Sequence, residues 1–600
     1  MAASALQFTE ISREIWETKY RDAAEASIDA TWRRVAAAAA RVEGAHAAAV
    51  EIAFREILSD FRFLPGGRIL AGAGTAATRT LANCFVMGPI EDSIDGIFER
   101  LKESALTMQW GGGIGCDFST LRPSGAAAVT SGSVASGPVS FMRIWDAMCG
   151  TLLSTGARRG AMMATLRCDH PDIEAFVTAK REATQLRNFN LSVQVTDAFM
   201  QALAAGADWP LCFPREHGDA AGETLQVHWP GCDGPVACRV WRRLPARELW
   251  RQIVDSAYDF AEPGVLFVDR INRTNNLWYR EHITCTNPCG EVPLPPHGAC
   301  TLGSVNLTAF VRSPYGERAE LDVAALERTV TTAVRFLDDV VELSRYPLPE
   351  QLAQAQATRR VGLGVTGLAD ALCMLGLRYD SDAGRAMAAQ ALERIRDAAY
   401  RASIALAAEK GAFPAFRRDA YLAGEFVARL PADVRDALAR SGIRNSHLLA
   451  VAPTGTISLL ANNVSSGVEP IFAVDSERRV LLPTGERRTY RVEDFAAALW
   501  RREQRGALPA TFVTAAELPP DAHLAMLAAL QPFVDNAISK TINVAESLPR
   551  DAVSQVFEKS YRLGLKGCTV FRPNPITGSV LTAAPQTSAV HCCTPDREAD

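Results

Sequence analysis

The sequence predicts an α/β fold with a large sheet or barrel at its centre, and three observations carry that expectation. Short β-rich runs recur at 83–87, 191–195, 264–268, 301–307 and 447–452. Long stretches in helical spacing lie between or beyond them, at about 243–261, 322–345, 383–410 and 522–539. Strands alternating with helices are the pattern of a sheet covered by helices. The third observation is capacity: 600 residues with 48% hydrophobic side chains can bury a large core.

Taken in order, residues 1–61 read as a helical region. The Ala-rich stretch 35–49 has high helix propensity, and the spacing continues until Pro65, Gly66 and Gly67 break it. A helix is expected over 92–110 with Ile94, Ile97, Phe98, Leu101 and Leu106 as its apolar positions, stopped by the glycines of 111–115. Ser, Gly and Pro make 130–138 a loop. Residues 478–520 carry many charges with weak periodicity and read as an insertion. From 576 to 600 the composition turns to Thr, Ser, Ala and Pro, that of a mobile tail.

Lys and Arg number 63 against 68 Asp and Glu, a net charge of -5, so the chain lacks the basic footprint of a nucleic-acid partner. A local phosphate site remains open. No run of about 18 apolar residues argues for a membrane span, and the acidic first twenty residues lack the apolar core of a secretory signal. Fourteen cysteines are too dilute for a disulfide-stapled secreted scaffold. The chain reads as soluble and cytoplasmic, with mostly reduced thiols.

Several motifs admit two readings. Gly362, Gly364 and Gly367 spell GxGxxG, but 351–360 does not read as the strand a dinucleotide site needs, which favours a tight packing turn at a helix start. The apolar run 448–452 leads into Pro453, Thr454, Gly455, Thr456, Ile457 and Ser458, a way to expose backbone amides to phosphate or simply a capped turn. Cys285, Cys289 and Cys300 lie within sixteen residues, yet no CxxC or HExxH accompanies them, so no metal site is expected. In Asn287-Pro288-Cys289-Gly290-Glu291 an amide, a thiol and a carboxylate alternate. An extended chain would point all three one way and allow hydrogen abstraction or nucleophilic chemistry; a loop with a buried cysteine is the plain alternative.

That segment, followed by 299–307, resembles the finger loop of ribonucleotide reductase large subunits. Asn83-Cys84-Phe85-Val86 resembles the strand carrying that family's first redox cysteine, 111–115 its glycine turn, 359–370 its RxxGxGxxGLAD stretch, and 453–458 its phosphate loop. The resemblance implies a ten-stranded α/β barrel of two parallel five-stranded halves over 62–575. Cys289 would host a thiyl radical, Glu291 act as the base on the 3′-OH with Asn287 supporting it, and Cys84 and Cys300 supply the reducing electrons. Asn83, Gly113, Pro288, Gly290, Pro453, Thr454, Gly455, Thr456 and Ile457 would contact substrate, the Thr454 and Thr456 hydroxyls reaching its phosphates. Asp92 and Arg122 would hold a deoxynucleoside triphosphate effector at a homodimer interface, with loops near 123–137 and 181–190 relaying it.

The resemblance also separates classes. Thr569 and Val570 stand where the two-subunit form has its radical-carrying tyrosines, and no glycyl-radical segment is present. That leaves the adenosylcobalamin-dependent form, which 567–572 resembles. The implied activity is reduction of ribonucleotides, expected as diphosphates, to 2′-deoxyribonucleotides. A radical-importing subunit, a non-catalytic nucleotide-binding regulator and a nicotinamide oxidoreductase are the alternatives. Nothing before Pro65 resembles an ATP-cone, so no dATP shut-off through one is expected. A thioredoxin-like reductant would be served by the tail cysteines, Cys592 and Cys593, although adjacent Cα atoms lie about 3.8 Å apart, below the usual disulfide range of about 4.4–6.8 Å. Cys568 is a possible third participant or a plain buried thiol.

Overall fold

The structure is a computed structural model and describes residues 8–573, apart from 77–79, 129–132, 153–159, 183–184, 216–221, 233, 482–486 and 505. The first region is helical, as expected, but in pieces: α1 (Glu10–Ile15), a π-helical turn at Trp16–Tyr20, α2 (Ile28–Ala40) and α3 (Ala47–Leu58). Gly44, with φ 55°, breaks the chain between α2 and α3. Thr9 starts α1 by accepting the Ser12 N–H at 3.3 Å. Small Ala36 and Ala39 line the buried side of α2, while Phe54 of α3 packs edge-on against Phe336 at 5.1 Å.

Helix α4 (Ile94–Gln109) begins where Ser93 accepts the Gly96 N–H. Of its five expected apolar positions only Ile97 is buried; Ile94 and Phe98 are 62% and 49% exposed, so the stripe faces outward. Three long helices follow, α5 (Ala246–Phe260), α6 (Val323–Leu343) and α7 (Asp382–Lys410). The expected helix at 522–539 ends at Leu530, because Pro532 cannot extend it. Among the described residues no helix is long and apolar enough to cross a membrane.

The central sheet has ten strands: β1 (Phe63–Pro65), β2 (Cys84–Val86), β3 (Gly113–Asp117), β4 (Met162–Arg167), β5 (Phe189–Val195), β6 (Gly264–Phe267), β7 (Ala299–Asn306), β8 (Val361–Thr366), β9 (Thr541–Asn543) and β10 (Gly567–Phe571). β2 through β6 pair in parallel, in sequence order. β7 pairs in parallel with β8, and β9 with β10. The five-strand group meets each of these pairs antiparallel, at β6–β10 and at β2–β7. The expected strand at 447–452 forms only single bridges, Leu363↔Leu449 and Val451↔Ile538, both parallel. The cause is local: the Asp535 carboxylate takes the Leu448 and Leu449 N–H groups at 2.8 Å each, in place of ladder carbonyls.

The GxGxxG motif needs correction. Gly362 and Gly364 lie within β8, where a side chain on Gly364 would collide with the Ala450 backbone; only Gly367, at φ 70°, starts a helix. Regular structure also occupies 478–520, as a hairpin (Asp475–Leu481 with Arg487–Glu493) and a helix (Phe495–Gln504). A separate three-stranded antiparallel sheet covers Asp208–Pro214, Thr224–His228 and Pro235–Pro245. Neither was expected from the hydrophobic periodicity.

Candidate active site

Cys84 on β2 stands directly opposite Cys300 on β7, and both are buried. Facing Cα atoms in an antiparallel pair lie about 4.5–5.5 Å apart, inside the range of about 4.4–6.8 Å that a disulfide needs. The antiparallel seam thus brings together two thiols far apart in the sequence. Burial pushes both thiols well above their ordinary pKa, and the carboxylate of Glu291 adds to the rise at Cys84. Both are held as neutral S–H groups.

The segment 285–294 is a narrow loop whose stems, Cys285–Thr286 and Pro293–Leu294, pair antiparallel. Its tip is a turn, not an extended run: the Gly290 N–H donates to the Asn287 carbonyl at 3.1 Å, and Gly290 takes φ 82°. The expected alternation is therefore replaced. Cys289 sits half-buried at the tip, whereas Asn287 and Glu291 turn back toward Cys84. Asn287 Oδ1 accepts the Val292 N–H at 3.0 Å, and its Nδ2 donates to Cys84 Sγ at 3.2 Å. Cys84 Sγ in turn donates to Glu291 Oε1 at 3.8 Å. Burial raises the Glu291 carboxyl to about 7, against the opposing pull of Asn287 and Cys84, and Oε2 has no partner among the described residues. That oxygen is open to a donor.

Two features outside the expected set hold the loop. A side chain at Gly115 on β3 would collide with the Thr286 carbonyl, so that glycine lets the loop lie against the sheet. Arg360, just before β8, donates to the Pro293 carbonyl at 2.8 Å and pairs with Glu281 at 2.5 Å, both side chains 2% exposed. Arg360 lies in a motif the sequence singled out. Glu281 had no signal, because only the fold brings it there.

Pro288, Cys289 and Gly290 line a cavity of 810 Å³, along with Pro453, Ser465, Phe472, Lys540, Cys568 and Thr569. Glu291 and Asn287 lie behind the loop tip. Of the five expected phosphate-loop residues, Pro453 reaches the cavity. Thr454, at φ 56°, turns its hydroxyl inward: it accepts the Gly467 N–H at 2.7 Å and lies 3.0 Å from the Thr366 and Ser458 hydroxyls. Thr456 and Ile457 are also buried, and Gly455 opens the short helix α8 (Gly455–Leu460). Asn83 donates its N–H to the Cys300 carbonyl and accepts the Gly113 N–H at 2.9 Å, tying three strands together beside the thiols.

Other expected residues lie elsewhere. Asp92, just before α4, and Arg122, after β3, form an ion pair at 2.7 Å, and the Arg122 N–H also donates to Asp92 Oδ1 at 3.1 Å. Parts of 123–137 and 181–190, and the tail with Cys592 and Cys593, lie outside the described residues. At the far strand, Thr569 reaches the cavity, Val570 is fully buried, and Cys568 is buried at the cavity wall. Lys566, which stands in the matched C-terminal stretch but was given no role, is buried and lowered by burial to about 7; it donates to the Asp535 carbonyl at 2.6 Å.

Comparison with known proteins gives matches along most of the chain. Residues 82–571 match the family model described as ribonucleotide reductase, barrel domain, and residues 6–83 the one described as ribonucleotide reductase, all-alpha domain. The chain is 40% identical over 577 residues to a vitamin B12-dependent ribonucleoside-diphosphate reductase of Mycobacterium tuberculosis (strain CDC 1551 / Oshkosh), covering 93% of this chain and 77% of the relative. A protein of that name from Thermoplasma acidophilum is 37% identical over 551 residues, covering 88% and 66%. The ribonucleoside-diphosphate reductase subunit alpha of Chlamydia pneumoniae is 26% identical over 608 residues, covering 91% and 57%.

Proposed function

The chain belongs to the ribonucleotide reductase family, and from that premise we propose that it is the adenosylcobalamin-dependent form, reducing ribonucleoside diphosphates to 2′-deoxyribonucleotides. One observation carries the reading: a facing thiol pair, Cys84 and Cys300, with Glu291 and Asn287 against it, directly behind a third thiol, Cys289, on a cavity wall. Pure nucleotide binding needs no such set. The choice of form rests on the higher identity to the B12-dependent relatives and on Thr569 and Val570, neither of which can relay a radical from a second subunit.

The cofactor fits the residues present. The cavity opens beside the Cys289 thiol and mixes apolar walls with polar groups, as a large cofactor with apolar faces and polar edges requires. Phe472 and Pro519 would hold the group's apolar faces, and Ser465 and Ser539 its polar edges. When bound, adenosylcobalamin supplies a carbon-centred radical by homolysis of its cobalt–carbon bond. Cys289, as a thiyl, takes the 3′ hydrogen of the ribose and later returns it. Glu291 takes the 3′-OH proton, and a carboxyl poised near 7 can both accept and release one. Cys84 and Cys300 each give up a hydrogen: the 2′-OH departs as water, the ribose gains two electrons, and a disulfide forms. Asn287 holds the carboxylate and Cys84 in register.

The rest of the arrangement follows the same reading. Bridges from β8 to Leu449 and from Val451 to Ile538 link β7–β8 to β9–β10, which supports a ten-stranded barrel of two parallel halves over 62–575, after a helical region at 1–61 and before a cysteine-bearing tail at 576–600. Asp92 and Arg122, beside the exposed face of α4, would hold a deoxynucleoside triphosphate at a homodimer contact. A thioredoxin-like protein would reduce the pair through Cys592 and Cys593, in a cytoplasmic setting. The test is turnover by the purified chain alone with adenosylcobalamin, nucleoside diphosphates or triphosphates, and a small dithiol. Deoxynucleotide formation is expected; product only on addition of a radical-bearing second subunit would overturn the choice of form.

A further inference from the structure

The tip of the finger loop has one soft degree of freedom. In a four-residue turn the central peptide can rotate by about half a turn while the ends stay fixed, which interconverts types I and II. Here that peptide joins Pro288 to Cys289. Proline at the second position suits both types, and type II demands positive φ at the third. Cys289 is not among the residues with positive φ, so the turn is of the type I kind, with Asn287 first and Gly290 last. A flip would force Cys289 into the left-handed region and send its thiol in another direction.

One side chain holds that peptide. Asn190 on β5 donates from Nδ2 to the Pro288 carbonyl at 2.7 Å. Across the loop, a Cβ on Gly113 of β3 would lie 3.2 Å from the Pro288 ring, so the ring sits close against that strand. Asn190 lines the same cavity as Cys289. Glu262 and Lys180, the charged groups at this end of β5, are paired with each other at 2.8 Å; Glu262 also accepts the Leu191 N–H, and Lys180 donates to the Phe189 carbonyl.

We propose that Asn190 is a positioning residue that sets the direction of the Cys289 thiol by fixing the Pro288–Cys289 peptide. The inference rests on the reading of Cys289 as the radical site. A misplacement of about 1 Å at a reacting atom can cost about a hundredfold in rate.

The test compares Asn190→Ala and Asn190→Asp in the full chain. Aspartate is nearly isosteric but donates a hydrogen bond only when protonated. Without cofactor or substrate, the rate at which iodoacetamide alkylates Cys289, followed by peptide mapping, is expected to change at least about threefold in both variants at pH 8 while melting temperature stays near wild type. In the loaded enzyme kcat is expected to fall at least about tenfold with nucleotide KM within about twofold. Asn190→Asp should regain activity relative to Asn190→Ala only as pH falls toward about 4, the ordinary aspartate value, because the protonated carboxyl restores the donor. Unchanged alkylation, kcat within about twofold of wild type, or the two variants tracking each other at every pH would overturn the proposal. Cys289→Ser, assayed alongside, separates the failures: if it turns over, the site reading is wrong; if it is inactive while the Asn190 variants behave as wild type, only this inference falls.

Discussion

Cys289 and Glu291 stand two residues apart in different surroundings, and the proposed chemistry rests on that difference. Cys289→Ser is expected to abolish deoxynucleotide formation while nucleotide binding, read by equilibrium dialysis, survives, because a serine O–H is too strong for a thiol's radical role. Appreciable turnover would rule out the assignment. Glu291 predicts a stability effect. Its folded pKa of about 7 lies above the unfolded value, so its contribution is fully present below about pH 4.3 and is lost as pH rises toward 7. Glu291→Gln, neutral throughout, should therefore gain stability over wild type by an amount that grows between pH 5 and 8, on the order of 3 kcal/mol at most; urea unfolding would show it, and a pH-independent difference would contradict it. The residues proposed for the chemistry were singled out by their motifs. Their arrangement was not legible, because a turn at Gly290 replaced the extended run that alternation assumed, and Glu281, Asp535 and Lys566 acquire partners only in the fold.

At the scale of elements, helix periodicity located α4 and its apolar positions, but it did not show that most of that face lies uncovered. Apolar spacing marks an apolar face, not what covers it, and Ile94 and Phe98 are exposed on it. Phe98→Asp is expected to shift the chain toward monomer in sedimentation and to weaken the response to deoxynucleoside triphosphates, leaving effector-free turnover intact; an unchanged sedimentation profile would remove α4 from the interface. The strands at 83–87, 191–195, 264–268 and 301–307 were legible because buried β-branched runs bounded by turns have few alternatives. The run at 447–452 was read as a full strand because a side-chain carboxylate that replaces ladder carbonyls leaves no trace in periodicity. Truncation after residue 585 should leave turnover with a small dithiol nearly unchanged and sharply reduce turnover with thioredoxin; equal rates with thioredoxin would leave the tail without a redox role.

For the molecule as a whole, the consequence of the topology is the seam. Two parallel groups of strands meet antiparallel at β2–β7, and only that meeting sets Cys84 opposite Cys300 behind the loop that carries Cys289. The motifs named these residues, but neither hydrophobic pattern nor spacing shows which strands form a seam, since register between distant strands is set by the whole core. The most direct measurement is a single turnover of the reduced chain, cut after residue 585, with adenosylcobalamin and nucleoside diphosphate but no external reductant, followed by peptide mapping of its thiols. The account predicts one deoxynucleotide per chain at most, matched by a Cys84–Cys300 disulfide, and neither in Cys289→Ser. Deoxynucleotide formed while Cys84 and Cys300 remain reduced would contradict it.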